Sequence, residues 1–137
     1  MRLAHGDNHT ISVRDGVVIC EVVSRPDLSA EDGARNAAQL VDFLTKHVLH
    51  EGSPYRSLVF DVRRGPPVFG PKTRDSLSAL FTLAGRVGIP VAVLVGDSPI
   101  QLLQFRNLCR DSGGQAEVFH DEASAHSWFD DPQVAHT

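Results

Sequence analysis

Four basic residues surround a proline-rich segment near the middle of the chain. Arg63 and Arg64 stand before the prolines, and Lys72 and Arg74 stand after them. A helix is predicted to follow Thr73, its candidate N-cap, and the free backbone N–H groups of a helix N-terminus attract anions. The segment therefore predicts a binding site for a phosphate, an acidic peptide or an anionic lipid head group. The alternative is a solvated loop whose charges only keep an exposed Pro-Pro segment soluble.

The same loop contains two apolar residues, Val68 and Phe69. Apolar side chains exposed in a loop indicate a contact with another protein. They can equally pack under the helix that follows. We therefore predict that a partner or an anion is bound by a set of loop and helix residues, namely Arg63, Arg64, Phe69, Lys72 and Arg74.

Two carboxylates, Asp61 and Asp97, end apolar runs that are predicted to be strands meeting at the same edge of a sheet. Paired carboxylates there can do acid–base work or hold Mg²⁺. No lysine or threonine completes such a site at the matching strand ends, and neither a glycine-rich phosphate loop nor a nucleophile elbow is present. Ser98 and Ser112 are accordingly interpreted as structural. We therefore predict no catalytic residue and no enzymatic activity.

The seven histidines do not form a recognisable metal site. They fall into two groups and three terminal positions: His47 and His50 with Glu51, His120 and His126 with Asp121 and Glu122, and His5, His9 and His136. Neither group has the His-Glu-x-x-His pattern or a third ligand at a suitable spacing. The terminal histidines are given no role. The sequence therefore predicts neither a metal nor another cofactor.

The overall composition is that of an ordinary globular domain. Hydrophobic residues make up 42% and charged residues 22% of the chain, and a formal net charge of -4 argues against nucleic-acid binding. Cys20 and Cys109 belong to no CxxC pair or metal-ligand spacing, so we predict reduced, buried thiols. The N-terminus has no apolar h-region, so we expect no signal peptide, and no apolar stretch reaches the roughly 18–20 residues that span a bilayer. We therefore expect a cytoplasmic protein without a transmembrane segment.

The order of elements predicts an α/β fold. Two strand-like runs flank Asp15-Gly16, a pair that favours a tight hairpin turn. Four helical patterns then alternate with apolar runs, of which residues 57–62 and 89–95 predict buried strands. The fold class is therefore an N-terminal β-hairpin followed by alternating α/β units, with a mixed, mostly parallel sheet covered by about four helices.

Capping residues mark where three of the helices begin. Ser29 is followed by Asp32 close to the spacing of a capping box, Thr73 precedes the second helix, and Asp121 precedes the last.

We divide the chain into three parts, a polar N-terminal tail at 1–9, a single domain at 10–131 and a C-terminal tail at 132–137.

These features together resemble the STAS domain of anti-sigma-factor antagonists and their diverged SpoIIAA-like relatives. The resemblance extends from about Thr10 to about Phe129. Five features carry it: the opening hairpin, the strand ending in Phe60-Asp61-Val62, the loop leading to Thr73, the glycine-flanked strand at 88–96, and the closing segment at 118–123. The resemblance implies a regulatory module that a partner recognises.

In such antagonists a serine at the start of the helix after the central strand is phosphorylated, usually within Asp-Ser-Ser-Gly, and this switches binding to a kinase-type partner. Here Gly70-Pro71-Lys72-Thr73 occupies that place, so the serine does not carry over. The resemblance leaves Thr73, and Ser76 one turn later, as switch candidates, because phosphorylation adds about -1.5 to -2 charges to a docking surface. The alternative is that Thr73 is only a helix N-cap.

We therefore expect a non-enzymatic regulatory protein–protein interaction module of the STAS type, which binds its partner through the loop and helix around residues 63–76. The partner implied is a kinase, an anti-sigma factor or a second copy of the chain in a homodimer. The alternative is a SpoIIAA/Sec14-like small-molecule or lipid-binding domain. That alternative requires an apolar cavity bordered by the hairpin or the helices.

Overall fold

Residues 1–134 are described by the computed structural model, and they form six strands and four helices around one sheet. In chain order the elements are β1 (Arg2–His5), β2 (His9–Arg14), β3 (Val17–Val23), α1 (Ala30–His47), β4 (Ser57–Arg64), α2 (Pro71–Val87), β5 (Val91–Leu94), α3 (Pro99–Asp111), β6 (Ala116–Phe119) and α4 (Glu122–Phe129). The strand order is β1-β2-β3-β4-β5-β6. The first three strands are antiparallel neighbours, whereas β3 to β6 pair in parallel. The expected α/β fold class is confirmed.

The hairpin between β2 and β3 turns at Asp15 and Gly16, as the sequence predicts. The φ angles of these residues are 54° and 80°, and a type I′ turn requires positive values at both central positions. The resulting register places Ile11 in the core. His9 lies two residues earlier and therefore on the same face of β2.

The N-terminus of α1 is closed by the predicted capping box. The Ser29 Oγ accepts a hydrogen bond of 3.1 Å from the Asp32 N–H, and the Asp32 carboxylate accepts one of 3.3 Å from the Ser29 N–H. Each bond therefore satisfies one backbone N–H group that has no partner within the helix. This prediction from local spacing is confirmed.

The prediction that Thr73 is the N-cap of α2 is wrong. The helix begins at Pro71 with Gly70 as its N-cap, so Thr73 is the third helical residue. Proline suits the first position of a helix, because its φ angle is already helical and its missing N–H would have no partner there. The helix therefore starts earlier than a search for a hydroxyl cap indicates.

Strand β4 divides the interior into two cores, because its side chains alternate between the two faces of the sheet. Leu58, Phe60 and Val62 belong to the larger core, to which α1, α2 and α3 contribute. Val59 belongs to a smaller core with Phe129 of α4. Both faces of β4 are thus buried, as its nearly continuous apolar run predicts.

The N-terminal segment forms an edge strand where we expected a tail at residues 1–9. β1 pairs antiparallel with β2, with Arg2 opposite Ser12. Its Leu3 packs against the larger core. A run of four residues is too short for alternation to identify it as a strand, so the pairing with β2 decides its conformation.

The C-terminal segment is packed against the domain as far as the structure describes it. Val134 is buried, and the Gln133 carbonyl oxygen accepts a hydrogen bond of 3.2 Å from the Gln115 side chain. Residues 132–134 of the expected tail are therefore packed against the domain. His136, which we assigned to the terminus, lies outside the described residues.

Among residues 1–134 no helix combines the length and the apolar character needed to cross a bilayer.

We expect Gly114→Ala to lower the free energy of unfolding by about 1–3 kcal/mol, because a Cβ at this position would overlap the Cα of Gly85 in α2. Gly33→Ala in α1 is the matched control, since its Cβ would meet nothing within 4 Å. That variant should gain about 0.5–1 kcal/mol from the higher helix propensity of alanine. Urea unfolding measures both changes. A stabilised Gly114→Ala protein would contradict the close contact between α2 and the turn after α3.

Candidate functional site

A cleft of about 730 Å³ lies between the N-terminal half of α1 and the loop that joins β4 to α2. We call residues 65–70 the β4–α2 loop. The walls include Leu40 of α1, Phe60 of β4 and Phe105 of α3. Pockets for small molecules usually have volumes of roughly 300–1,000 Å³ and mostly apolar walls. The cleft is also near the carboxyl ends of parallel strands, where α/β folds commonly bind ligands.

The buried side chain of Gln101 in α3 holds the start of the β4–α2 loop. Its Nε2 donates hydrogen bonds of 2.8 Å to the Val62 carbonyl and 3.1 Å to the Pro66 carbonyl. Its Oε1 accepts one of 2.9 Å from the Gly96 N–H. The amide thus joins the end of β4, the loop and the turn after β5. Sequence reasoning missed this residue, for which the only signal was a polar side chain within a predicted helix.

Two further side chains near the start of α3 hold the rest of the loop. The Gln104 amide accepts a hydrogen bond of 3.2 Å from the Phe69 N–H and donates one of 3.1 Å to the Phe69 carbonyl. The Ser98 Oγ donates to the Pro67 carbonyl at 3.2 Å and also caps α3. The interpretation of Ser98 as structural agrees with these bonds. The loop is therefore fixed along α3 by four side-chain hydrogen bonds from Ser98, Gln101 and Gln104.

The two apolar residues of the loop have different environments. Phe69 is half-buried, lines the cleft and packs against Phe105, with ring centroids 5.3 Å apart. Val68 is exposed at the mouth of the cleft. One of the two residues therefore packs inward and the other remains available for a contact.

Arg63 is separated from the other cations predicted to act with it. Its guanidinium donates hydrogen bonds of 3.1 and 2.8 Å to the buried Asp61 carboxylate and one of 3.1 Å to Glu122 at the start of α4. Hydrogen bonding to Asp61 is the main cause of a raised pKa for Arg63. Because α4 covers the opposite face of the sheet from the cleft, Arg63 is engaged away from Lys72. We therefore leave Arg63 out of the binding surface.

The remaining predicted residues lie around the start of α2. Arg64 and Lys72 are exposed and have no ion pair within residues 1–134, whereas Arg74 lies 3.7 Å from the Asp75 carboxylate. Lys72 and Thr73 line the edge of the cleft. Thr73 and Ser76, the two switch candidates, are both half-buried.

His9 and Asn36, to which no function was assigned from the sequence, lie in the wall of the cleft. His9 is 5% exposed, and its Nδ1 lies 3.1 Å from the Asn8 Oδ1. The Asn36 Oδ1 accepts a hydrogen bond of 3.0 Å from the Asp7 N–H, which ties α1 to the turn before β2. His9 was missed because it was placed in a terminal tail, and the β1 strand that orders this region has only a weak local signal.

The groups considered for metal or acid–base chemistry are dispersed or already paired. Asp61 is held by Arg63, and Asp97 is exposed in the turn after β5. In the part of the chain that the structure describes, no three His, Cys, Asp or Glu side chains come together in a way that could hold a metal ion.

The two cysteines are buried as expected. Burial raises the pKa of both thiols, and the pKa of Cys109 rises to about 12.

The fold has a counterpart among solved structures. The NMR structure of the protein TM1081 matches with a TM-score of 0.60, covering 93% of this chain and 94% of that chain. The sequence identity is 15%, so the likeness concerns the fold alone. No protein-family model matches the chain, and no curated protein matches it in sequence.

We expect stability to decrease as the pH falls below about 6.5, and part of this decrease should come from His9. Burial lowers its pKa below the ordinary 6.5, outweighing attraction from Asp7, while His5 lowers it further. The unfolded chain therefore takes up this proton at a higher pH than the folded chain, which favours unfolding at lower pH.

Urea unfolding between about pH 7.5 and about pH 5.5 measures this dependence. His9→Gln should lose stability less steeply with falling pH than the parent protein. Thr45→Gln, at an exposed position of α1, is a control that should keep the parent's slope. Equal slopes for the parent and His9→Gln would contradict the burial of a neutral His9.

We expect Arg63→Met to lower the free energy of unfolding by about 1–3 kcal/mol, because the buried Asp61 carboxylate loses its partner. Arg64→Met is the matched control and should change stability by less than about 0.5 kcal/mol, since its side chain is exposed. Urea unfolding at neutral pH gives both values. If the two variants were equally stable, Arg63 would have no structural role at this position.

Proposed function

We propose that this chain is a diverged STAS-type regulatory module that binds a protein partner and catalyses no reaction. The docking surface comprises the outer side of the β4–α2 loop, the start of α2 and the N-terminal half of α3. It overlaps residues 63–76, which the STAS resemblance suggests for partner binding. The observation that carries the proposal is the concentration of exposed apolar side chains at this place.

Three large apolar side chains are exposed on the docking surface. Val68, Ile100 and Leu103 are 52%, 58% and 60% exposed. Within residues 1–134 the one other large apolar side chain exposed to this degree is Met1. Ile100 and Leu103 are three residues apart and therefore lie on the same side of α3. Grouped exposed apolar side chains are typical of protein contact sites.

Hydrogen bonds hold the part of the docking surface that lies in the β4–α2 loop. Val68 lies between Pro67 and Phe69, and the backbones of these neighbours are bonded to Ser98 and Gln104 of the α3 region. A loop that is already fixed loses less conformational entropy on association than a mobile one. This order supports a role in recognition.

Charge around the apolar side chains favours an acidic partner surface. Arg64, Lys72 and Arg106 are exposed, and none of them has an ion pair in the described part of the chain. Complementary charges increase the rate of association and select against wrong partners. We therefore expect a protein that presents apolar side chains with flanking carboxylates.

The same arrangement supports Thr73 as a switch position, with Ser76 as the second candidate. Thr73 lies next to Lys72 and Arg74 at the start of α2. Phosphorylation would add about -1.5 to -2 charges at this place and reverse the local charge that an acidic partner recognises. Modification of either hydroxyl would therefore weaken docking by charge repulsion.

The docking surface is tested by affinity capture from the source cell followed by binding measurements with the purified captured protein. We expect Leu103→Asp to weaken the complex by about 30-fold or more, because a central apolar contact is replaced by a charge that an acidic partner repels. Ala38→Asp is the matched control, since Ala38 is exposed on the outer side of α1. It should leave the affinity unchanged.

Two results would contradict the proposal. One is a captured protein that binds the parent, Leu103→Asp and Ala38→Asp equally well. The other is a parent protein that is dimeric in sedimentation and becomes monomeric in Leu103→Asp, which would assign this surface to a second copy of the chain.

A further inference from the structure

We infer that the cleft between α1 and the β4–α2 loop binds a small amphipathic molecule with an apolar body and one anionic group. This site is distinct in its chemistry from the proposed docking surface, although both use the β4–α2 loop. Four features of the cleft support it: its apolar walls, the exposed start of α2, the contrast with the start of α1, and an open acceptor on His9.

The walls of the cleft favour an apolar body. Leu40, Phe60, Val62, Leu77 and Phe105 line it, and its volume is about 730 Å³. Protein interiors are otherwise close-packed, so a space of this size is occupied by solvent or by a ligand. Removing these walls from water favours an apolar ligand over solvent.

The start of α2 provides a place for the anionic group. Its N-cap is Gly70, which has no side chain to bond the first backbone N–H groups, and its first turn contains Lys72 and no acidic residue. Lys72 lines the cleft and has no ion pair among the described residues. An anion here would interact with the positive end of the helix and with an ammonium group.

The start of α1, on the other side of the cleft, differs in both respects. Ser29 and Asp32 close it with a capping box, and Glu31 adds a second acidic side chain in the first turn. Arg25 also lines the cleft just before α1, but its guanidinium is already paired with Asp27. An anion would therefore be held more weakly at the start of α1 than at the start of α2. This asymmetry orients an amphipathic anion in the cleft.

His9 is a polar residue in the wall of the cleft. The Asn8 Oδ1 can only accept a hydrogen bond, so the His9 Nδ1 donates to it at 3.1 Å and Nε2 is left as an acceptor. This Nε2 has no hydrogen-bond partner within residues 1–134. A side chain that is 5% exposed and lines the cleft thus has an open acceptor. It suits a ligand that also carries a hydroxyl or amide N–H donor.

The probe is N-decanoylglycine, which has an acyl chain, an amide N–H and a carboxylate. We expect it to shift the amide NMR signals of residues lining the cleft in isotope-labelled protein. Its neutral amide, N-decanoylglycinamide, should bind about three- to ten-fold more weakly, because it lacks the charge that α2 and Lys72 attract. Decyltrimethylammonium, which is a cation, should bind more weakly still.

The decisive variant is Gly33→Leu, which places a side chain in the cleft from α1. A Cβ on Gly33 meets nothing within 4 Å, so the leucine can be accommodated. Replacing glycine within a helix also increases stability. We expect this variant to remain folded, with an unfolding midpoint at least as high as that of the parent, and to bind N-decanoylglycine at least ten-fold more weakly. Ala38→Leu adds similar bulk on the exposed side of α1 and should bind like the parent.

A charge variant tests the orientation of the ligand. Lys72→Glu should weaken N-decanoylglycine by about ten-fold and reduce its preference over the neutral amide. Lys46→Glu is the matched control, because Lys46 is exposed in the last turn of α1 and does not line the cleft. Its affinity should equal that of the parent.

Three results would overturn the inference. The first is unchanged binding of N-decanoylglycine by a folded Gly33→Leu protein. The second is equal affinity of the parent for the anionic, neutral and cationic probes, which would indicate an unselective apolar surface. The third is sedimentation with phosphatidylglycerol vesicles without binding of N-decanoylglycine, which would assign the region to a membrane contact. None of these results depends on the binding of a protein partner.

Discussion

The side-chain amide of Gln101 joins three backbone segments that lie at one edge of the sheet. It bonds to the Val62 carbonyl at the end of β4, to the Pro66 carbonyl in the β4–α2 loop and to the Gly96 N–H after β5. Because this amide is buried, its polar atoms have no water to replace a lost partner, and each missing bond would cost the desolvation of that group. The position of the loop, and with it one wall of the cleft, depends on these bonds.

The fixed loop has two sides with different properties. Phe69 lines the cleft and packs on Phe105, whereas Val68 is exposed at the edge of the cleft, and Ile100 and Leu103 are exposed on α3. The proposed ligand and the proposed partner would therefore contact consecutive residues of one loop. Hydrogen bonds from Ser98, Gln101 and Gln104 hold the loop in the conformation that both proposals require.

Strand β4 also separates charges that are adjacent in sequence. Since successive side chains point to opposite faces, Asp61 and Arg63 lie on the side of α4, where Glu122 completes a small ion-pair network. Near the start of α2, Arg64 and Lys72 have no ion pair among the described residues, whereas Arg74 lies 3.7 Å from the Asp75 carboxylate. The sheet thus divides one cationic stretch into a structural part and a part available for binding.

The sequence by itself determined the elements whose signals come from near neighbours. The Asp15-Gly16 turn, the capping box at Ser29 and the buried runs of β4 and β5 are set by φ preferences, short-range hydrogen bonds and continuous apolar character. These signals were enough to predict the α/β fold, whereas binding through the loop around Phe69 stays a prediction.

Only the tertiary structure decided which side chains meet. Gln101 bonds to a carbonyl 39 positions away, and Arg63 to a carboxylate 59 positions away. β1 is a strand because β2 pairs with it, and this pairing carries His9 from an apparent tail into the wall of the cleft. Such contacts have no local pattern, because their energy depends on packing and desolvation between distant segments. Local patterns therefore drew attention to the loop around Phe69, while folding determined which of the nearby charges are paired and which remain exposed.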